Sequence, residues 1–493
     1  MLEKFVFSTL THLISNLIYL FSFYLLFQKL NATYLGIWGF LHSIISLGFI
    51  FTDLGIDVIH YQYSGKQESS KFFATYFIIK ISIIGINVLF TFLILTFLDL
   101  WYSSFLFLIL LIFFSRILTQ ITLIFLVNLK SRIKVFKVEI PSFLITIGKS
   151  IIITYLYFNF IQSLASLIYI AASNFIFDII FFILIQILSK QEIEFNKIKK
   201  QLAYKYLKDA SPFFLFSIIS VISSNLGLII INYSLGYESL GFVSFVSLYI
   251  IPMFLIISNS IITIYLPLFS KLYEQNDMIL IKKIIYKIEK YSSILFLSII
   301  IIVILNGNLL FSIFIPNYIN SVPILSIMIF IPYLLSISQP YSYHFIAGKK
   351  QKIQAFINSI TRILIIILMI LLIPSFGTIG YAISQLIPWI LWCLLNHYLS
   401  KKIFKINVQK GIILQLLLAI ATIIIGYMLK IIFVTVFLYI PVLVLIISSI
   451  ISIILFICLL ILFKELKKVD FKFFMKVFKF EEYIKSLKRE FDD

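Results

Sequence analysis

The stretch Val442–Phe463 reads VLVLIISSIISIILFICLLILF. It carries no charged residue, and as a helix it spans about 30 Å, the thickness of the hydrocarbon core of a bilayer. Its apolar side chains do not form one stripe. They surround the axis, as on a helix that meets lipid on one side and other helices on the other. Ile294–Leu305 and Ile363–Pro374 have the same character. Outer-membrane strands need about ten residues of alternating apolar and polar type, and these runs are continuous, the first about twice as long. Helices remain, because in hydrocarbon the backbone must satisfy its own polar groups. The whole chain agrees: of 493 residues 61% are hydrophobic and 12% charged, with mean hydropathy +1.10. A soluble domain has about 45–50% apolar and about 25% charged residues, so lipid must cover the excess.

Apolar windows of about 20 residues give about fourteen spans. Their limits are 5–28, 37–60, 71–98, 104–128, 138–158, 164–188, 210–233, 239–269, 287–306, 321–346, 354–374, 377–399, 411–429 and 436–463. The first is too long for a signal-peptide core, and no small-residue cleavage site follows it, so it is expected to be retained. Lysine and arginine fall in alternate connections. One set holds Lys66 and Lys71, Lys130 to Lys137 with Arg132, Lys190 to Lys208, Lys271 to Lys287, Lys349 to Lys352 and Lys401 to Lys410. The other holds Lys29 and Lys430. Basic loops face the cytoplasm, so both termini are expected inside, in a plasma or inner membrane. The net charge of +19 therefore reports topology, and no nucleic-acid partner is expected. The basic tail 464–493 reads either as a surface helix against anionic headgroups or as a solvated helix. No outer connection is long enough to fold as a domain. Cys393 and Cys458 lie in apolar spans as small packers, His60 reads as a headgroup anchor, and the histidines lack ligand spacing, so no metal or cofactor is expected.

The stretch 189–208 divides six spans from eight, and the two sides look related. Ile14-Ser15-Asn16-Leu17 has a counterpart in Ser223-Ser224-Asn225-Leu226. Leu30-Asn31-Ala32-Thr33-Tyr34-Leu35-Gly36 has the spacing of Leu235-Gly236-Tyr237-Glu238-Ser239-Leu240-Gly241. A span–turn–Leu-Gly–span unit thus recurs after about 205 residues with the same orientation, which points to parallel repeats about an axis along the membrane normal. The expected organisation is a six-helix bundle at 1–188, a basic cytoplasmic linker at 189–208, a second six-helix bundle at 209–399, two additional transmembrane helices at 400–463 and a basic cytoplasmic tail at 464–493. Such a plan suits alternating access.

Tyr34-Leu35-Gly36-Ile37-Trp38-Gly39-Phe40 followed by Phe51-Thr52-Asp53-Leu54-Gly55-Ile56 resembles the first two spans of the polysaccharide-biosynthesis flippases. These belong to the multidrug/oligosaccharidyl-lipid/polysaccharide exporter superfamily. Ser239-Leu240-Gly241-Phe242 and Ile264-Tyr265-Leu266-Pro267-Leu268-Phe269-Ser270-Lys271 are similar to the corresponding parts of the second half. Asn225 stands about where many relatives carry an acidic residue. The resemblance implies a MATE-like all-α fold. It also implies a flippase that moves a lipid-linked oligosaccharide from the inner to the outer leaflet, with glycan-assembly enzymes as partners. A polar cleft would shelter the glycan while the polyprenyl tail stays in lipid.

Charged groups inside the spans are costly, on the order of 3 kcal/mol each at the centre, and are functional candidates. Here they are Asp53, Asp57, Lys80, Arg116, Lys149, Asp178 and Arg362. Arg116 and Lys149 fall near the midplane, and Gln120 shares the Arg116 helix face. These three, with Arg362, are the candidate substrate-binding residues, since guanidinium and ammonium suit phosphate. The alternative is that Arg116 and Lys149 pair with Asp178 as structural glue. Asp53 and Asp57, four apart, with Lys80 at similar depth, read either as a structural ion pair or as a proton- or cation-coupling site. Arg362 either snorkels inward or completes the cleft. Gly148-Lys149-Ser150 imitates the end of a P-loop, but Phe143 stands at its first glycine position. A cation-coupled drug or metabolite exporter is the alternative function. A membrane polymerase or glycosyltransferase lacks the large outer loop it commonly needs, and no catalytic residue is expected.

Overall fold

The computed structural model describes residues 2–64, 69–132, 134, 136–159, 164–189, 200–255, 269, 272–273, 275–407, 409, 411–436, 440–467 and 470. Half of the 189–208 linker, most of the segment around Pro267 and the tail beyond 470 lie outside them. The described residues form helices and no strand. In chain order they are α1 (Leu2–Lys29), α2 (Ala32–Gly48), α3 (Ile56–Ser64), α4 (Ser69–Phe97), α5 (Leu106–Ser131), α6 (Phe136–Phe158), α7 (Leu164–Ser189) and α8 (Lys200–Ser244). Then follow α9 (Met278–Phe314), α10 (Val322–Met328), α11 (Phe330–Ala347), α12 (Gln351–Phe404), α13 (Gly411–Val436) and α14 (Pro441–Leu462). Ten helical stretches among the described residues are long and apolar enough to cross a membrane, and Leu17–Lys29 and Ala32–Gly48 are shorter apolar helices. The chain is a multi-pass integral membrane protein.

Two helices are too long for one crossing. A straight rod of the 54 residues of α12 would extend about 80 Å, far beyond the bilayer. Each long helix is broken at a glycine, α8 at Gly236 (φ 81°, ψ 178°) and α12 at Gly377 (φ 58°, ψ −134°). Side chains strongly disfavour these conformations, and glycine adopts them freely. The breaks adjoin, since a Cβ at Gly377 would lie 3.3 Å from the Leu235 side chain.

Span 2 was expected as one helix over 37–60, with Asp53 and Asp57 on one face. The structure corrects this. α2 stops at Gly48 and α3 starts at Ile56, and between them Leu54 and Gly55 take positive φ. The backbone groups freed at this depth find partners on α3 and α4. The Phe51 amide donates to Asn87 Oδ1 (3.0 Å), the Lys80 ammonium donates to the Thr52 carbonyl (2.9 Å), and the Asp57 amide donates to Asp53 Oδ1 (3.2 Å). Irregular backbone inside a membrane protein persists only where such partners exist.

The chain falls into two compact units. The first, called the N unit here, holds Ser8–Phe245 and Asn358–Thr378. Its inner core gathers Ile56, Phe73, Tyr76, Ile124, Phe125 and Tyr206 from α3, α4, α5 and α8. His60, expected at the headgroups, is instead fully buried there. Its imidazole bridges Tyr206 Oη and Asn128 Oδ1, each at 3.1 Å, and stacks on Tyr76. α2 and α8 approach to backbone contact. A Cβ at Gly36 would lie 1.8 Å from the Tyr237 carbonyl oxygen, and one at Gly241 would lie 1.8 Å from that of Ala32. In the spacing of the expected repeat, Ala32 matches Tyr237 and Gly36 matches Gly241, so the two contacts join the same two positions in exchanged order.

The other, the C unit, holds Met1–Phe7, Val246–Ile357 and Ile379–Asp493. α9 is its hub, with α11, α13 and α14 packed on it. The Asn306 amide of α9 ties α14 by donating to Ser449 Oγ (2.9 Å) and accepting from Ser448 Oγ (3.0 Å), and the Lys430 ammonium of α13 donates to the Leu305 carbonyl. Past α14, Asp470 returns to α9 and accepts from Lys290 (2.8 Å) and Tyr291 (2.7 Å). Burial pushes the Asp470 carboxyl up, but hydrogen bonds from Lys290, Tyr291 and the Lys467 amide hold it below its ordinary value.

Candidate functional site

The charged residues of the N unit separate into pairs and one exception. Lys149 on α6 donates to Asp178 Oδ1 on α7 at 2.8 Å, and the Ser115 hydroxyl of α5 donates to the other carboxylate oxygen. Thus Lys149, expected beside Arg116 on the substrate, has its charge matched within the protein. Lys80 is 2% exposed and lies 2.8 Å from Asp57 and 3.9 Å from Asp53. Tyr76 Oη also donates to Asp57 at 2.8 Å. The ammonium thus stands among the oxygens that a coupling cation would use. Arg362, on the α12 segment of this unit, donates to Ser223 Oγ at 3.4 Å. Gln120 is buried.

Arg116 is different. It follows Ser115 on α5, yet no described carboxylate pairs with it, and its Nε is buried without a hydrogen-bond partner. Within electrostatic reach stands His42 of α2, whose own Nε2 is buried and unpartnered. The His42 ring rests on Trp38, with centroids 4.4 Å apart. A guanidinium with free donor capacity inside a membrane protein is poised for an anion, and a phosphate oxygen matches its fork. Among the described residues, no group of three or more His, Cys, Asp or Glu side chains has the geometry to hold a metal ion.

Among solved structures, one described as "Lipid II flippase MurJ, inward closed conformation" aligns over 93% of this chain and 99% of its own. Its TM-score is 0.66, at 17% sequence identity. The fold is that of the MOP-superfamily transporters. A second structure, an inward-facing multidrug resistance MATE family transporter of the same superfamily, aligns over 81% of this chain and 96% of its own. Its TM-score is 0.57, at 12% identity. No protein-family model matches the chain. No curated protein matches it by sequence. The resemblance read from Leu35-Gly36 and Asp53-Leu54-Gly55 thus led to the right fold.

One buried acid in this MOP-type fold escaped the sequence reading. Glu289 of α9 is fully buried in the C unit. It lies near the inner edge of its span, where charged residues are ordinary, and its partners Tyr341 and Gln409 are 52 and 120 residues away. A carboxylate within the window 287–306 was the available signal.

Proposed function

We propose that the protein is a flippase that carries a lipid-linked oligosaccharide, on a polyprenyl- or dolichyl-type phosphate or diphosphate, from the inner to the outer leaflet by alternating access. The reading rests above all on Arg116, a membrane-embedded cation with no carboxylate partner among the described residues. The fold supports transport rather than catalysis, and the solved neighbour that aligns over more of this chain is described as a flippase for lipid II. The drug transporter aligns over less of it, which favours the lipid-linked substrate over a drug. In this reading the Arg116 guanidinium meets the phosphate group, with Gln120 and Arg362 contributing beside the glycan. Lys149 with Asp178, and Lys80 with Asp53 and Asp57, hold helices together.

The same proposal takes the chain as two six-span halves, with two added spans and cytoplasmic termini. The reversals at Gly236 and Gly377, added to the ten long stretches and the two shorter helices, support about fourteen crossings. The reciprocal Gly36 and Gly241 contacts support the repeat.

Flipping of a fluorescent polyprenyl-diphosphate oligosaccharide in proteoliposomes tests the function, read by bleaching with a membrane-impermeant reductant. The wild-type protein should expose inner-leaflet substrate faster than empty liposomes. Arg116→Ala should slow this by about 10- to 100-fold, as expected for losing a charge-assisted hydrogen bond worth roughly 1.5–3 kcal/mol. Folded yield should not change, because Arg116 pairs with no carboxylate among the described residues. A full rate in Arg116→Ala would remove that residue from the mechanism, and no wild-type flipping of this probe would defeat the lipid-linked reading.

A further inference from the structure

The carboxyl of Glu289 is a meeting point for four parts of the C unit. It extends from α9 with no solvent exposure. Oε2 accepts from Tyr341 Oη of α11 at 2.9 Å and from the Gln409 amide, in the connection before α13, at 3.3 Å. Oε1 has no hydrogen-bond partner. The nearest polar atom recorded for it is His397 Nε2 of α12, at 3.5 Å, itself buried and unpartnered. The other ring nitrogen, Nδ1, lies 3.7 Å from Cys393 Sγ, which accepts from Ser338 Oγ at 2.7 Å. The imidazole stands edge-on to the Tyr341 ring, with centroids 4.5 Å apart.

Among the described residues, no fixed cation pairs with this acid. The adjacent lysine, Lys290, is committed to Asp470. Among the described residues, the titratable groups facing the site are Tyr286 from α9, Tyr333 and Tyr341 from α11, and Cys393 and His397 from α12. All are uncharged except for what Glu289 and His397 themselves carry. Two hydrogen bonds soften the burial of a carboxylate but do not cancel its charge, and an uncompensated buried ion costs several kcal/mol. One proton on the pair resolves this. On Oε1 it gives a neutral acid beside a neutral imidazole, and on Nε2 it gives an imidazolium against a carboxylate. Either form is neutral overall and joins the two unpartnered atoms.

We infer that Glu289 and His397 together form a proton-binding site, and that release of its proton loosens the four segments gathered on the Glu289 carboxyl. The deprotonated pair carries an unmatched negative charge, which favours entry of water or separation of α9 from α12. The group lies close to the inner, Lys-rich ends of these helices, so the proton exchanges with the cytoplasmic side. Its use to drive transport rests on the reading of function above, whereas proton binding does not, and the two are measured separately.

The first measurement follows unfolding of the full-length protein in lipid nanodiscs against pH. Above about pH 6.5 the unfolded chain has given up the proton of its free histidine while the folded pair still holds one, so from there wild-type stability should fall as pH rises, by up to tenfold in the folding equilibrium per pH unit for one proton, until the folded pair also releases it. Glu289→Gln keeps the shape, cannot lose a proton, and should lack that component. Tyr341→Phe removes a donor to the charged carboxylate, so the same fall should begin at the same pH and continue to higher pH before it levels off. This variant still carries the test if Glu289→Gln folds poorly. Identical pH profiles in all three proteins would overturn the proposal.

The second measurement imposes a pH gradient on the proteoliposomes. Wild-type flipping should respond to it, and Glu289→Gln flipping should not. A gradient-insensitive wild type that still shows the stability component would confine Glu289 to proton binding and overturn its part in transport. Absence of any flipping would strike the lipid-linked reading alone, while the stability titration would still decide the proton site.

Discussion

Gly36→Ala and Gly241→Ala are each expected to cost at least about 3 kcal/mol of stability, beyond the usual penalty for an extra methyl group in a packed interior. The methyl carbon would meet a main-chain carbonyl oxygen at 1.8 Å in either case, Tyr237 for one and Ala32 for the other. A long side chain can rotate away from such a clash, but a carbonyl inside a helix cannot. The helices α2 and α8 would have to part by more than an ångström, losing the close approach that small residues give helix pairs in membranes. Gly85→Ala in α4 is the control, because nothing lies within 4 Å of its Cβ position. It should be neutral or stabilising by up to about 1 kcal/mol, the helix propensity gained over glycine. Thermal unfolding in nanodiscs reads all three. If the Gly36 and Gly241 variants melt with the wild type, the backbone contact between α2 and α8 is not the one described. Because the two contacts join the same two positions in exchanged order, the two variants should also lose similar amounts. A large inequality would count against the two-fold relation.

The parts that could be read from sequence are those set by local rules. In hydrocarbon each backbone group must find its partner within its own helix, so an apolar run such as Val442–Phe463 fixes a helix with no knowledge of the rest of the chain. The small residues Gly36 and Gly241, where α2 and α8 approach to backbone contact, were readable too, because close helix packing leaves small residues in the sequence. What failed depended on residues distant in the chain. Thr52-Asp53-Leu54-Gly55 sits in an apolar window that continues as helix by pattern. It breaks because Asn87 and Lys80 of α4 satisfy the opened backbone. Arg116 and Lys149 had equal standing at equal depth. Asp178 and Ser115 distinguish them by taking Lys149 into a closed cluster. His60 at a span end suggested an anchor, whereas Tyr206, from far along the chain, buries it. Glu289 went unnoticed for the same reason.

Lys80→Met should cost about 3–5 kcal/mol, the range for removing one partner of a buried ion pair, with the lower end favoured because Asp57 is 21% and Asp53 44% exposed. The methionine fills similar space but leaves Asp57 without its cation and the Thr52 carbonyl without its donor, at the point where span 2 has no helix to fall back on. Adding Asp57→Asn to Lys80→Met should recover part of the loss. The uncompensated charge is then gone, while Tyr76 can still donate to the side-chain carbonyl oxygen that the substitution leaves in place. A coupling energy between the two sites of about 0.5–3 kcal/mol is the expected range for residues in contact. The pair also separates the two readings of Asp53 and Asp57. With Lys80 present, its tethered ammonium occupies the space between the carboxylates, and the melting temperature should not depend on whether sodium or choline is the salt cation. In Lys80→Met no ammonium charge faces the two acids, and sodium should raise the melting temperature relative to choline at equal ionic strength. Sodium-dependent stability already present in the wild type would show instead that Asp53 and Asp57 bind a free cation beside Lys80, and would return them to ion coupling.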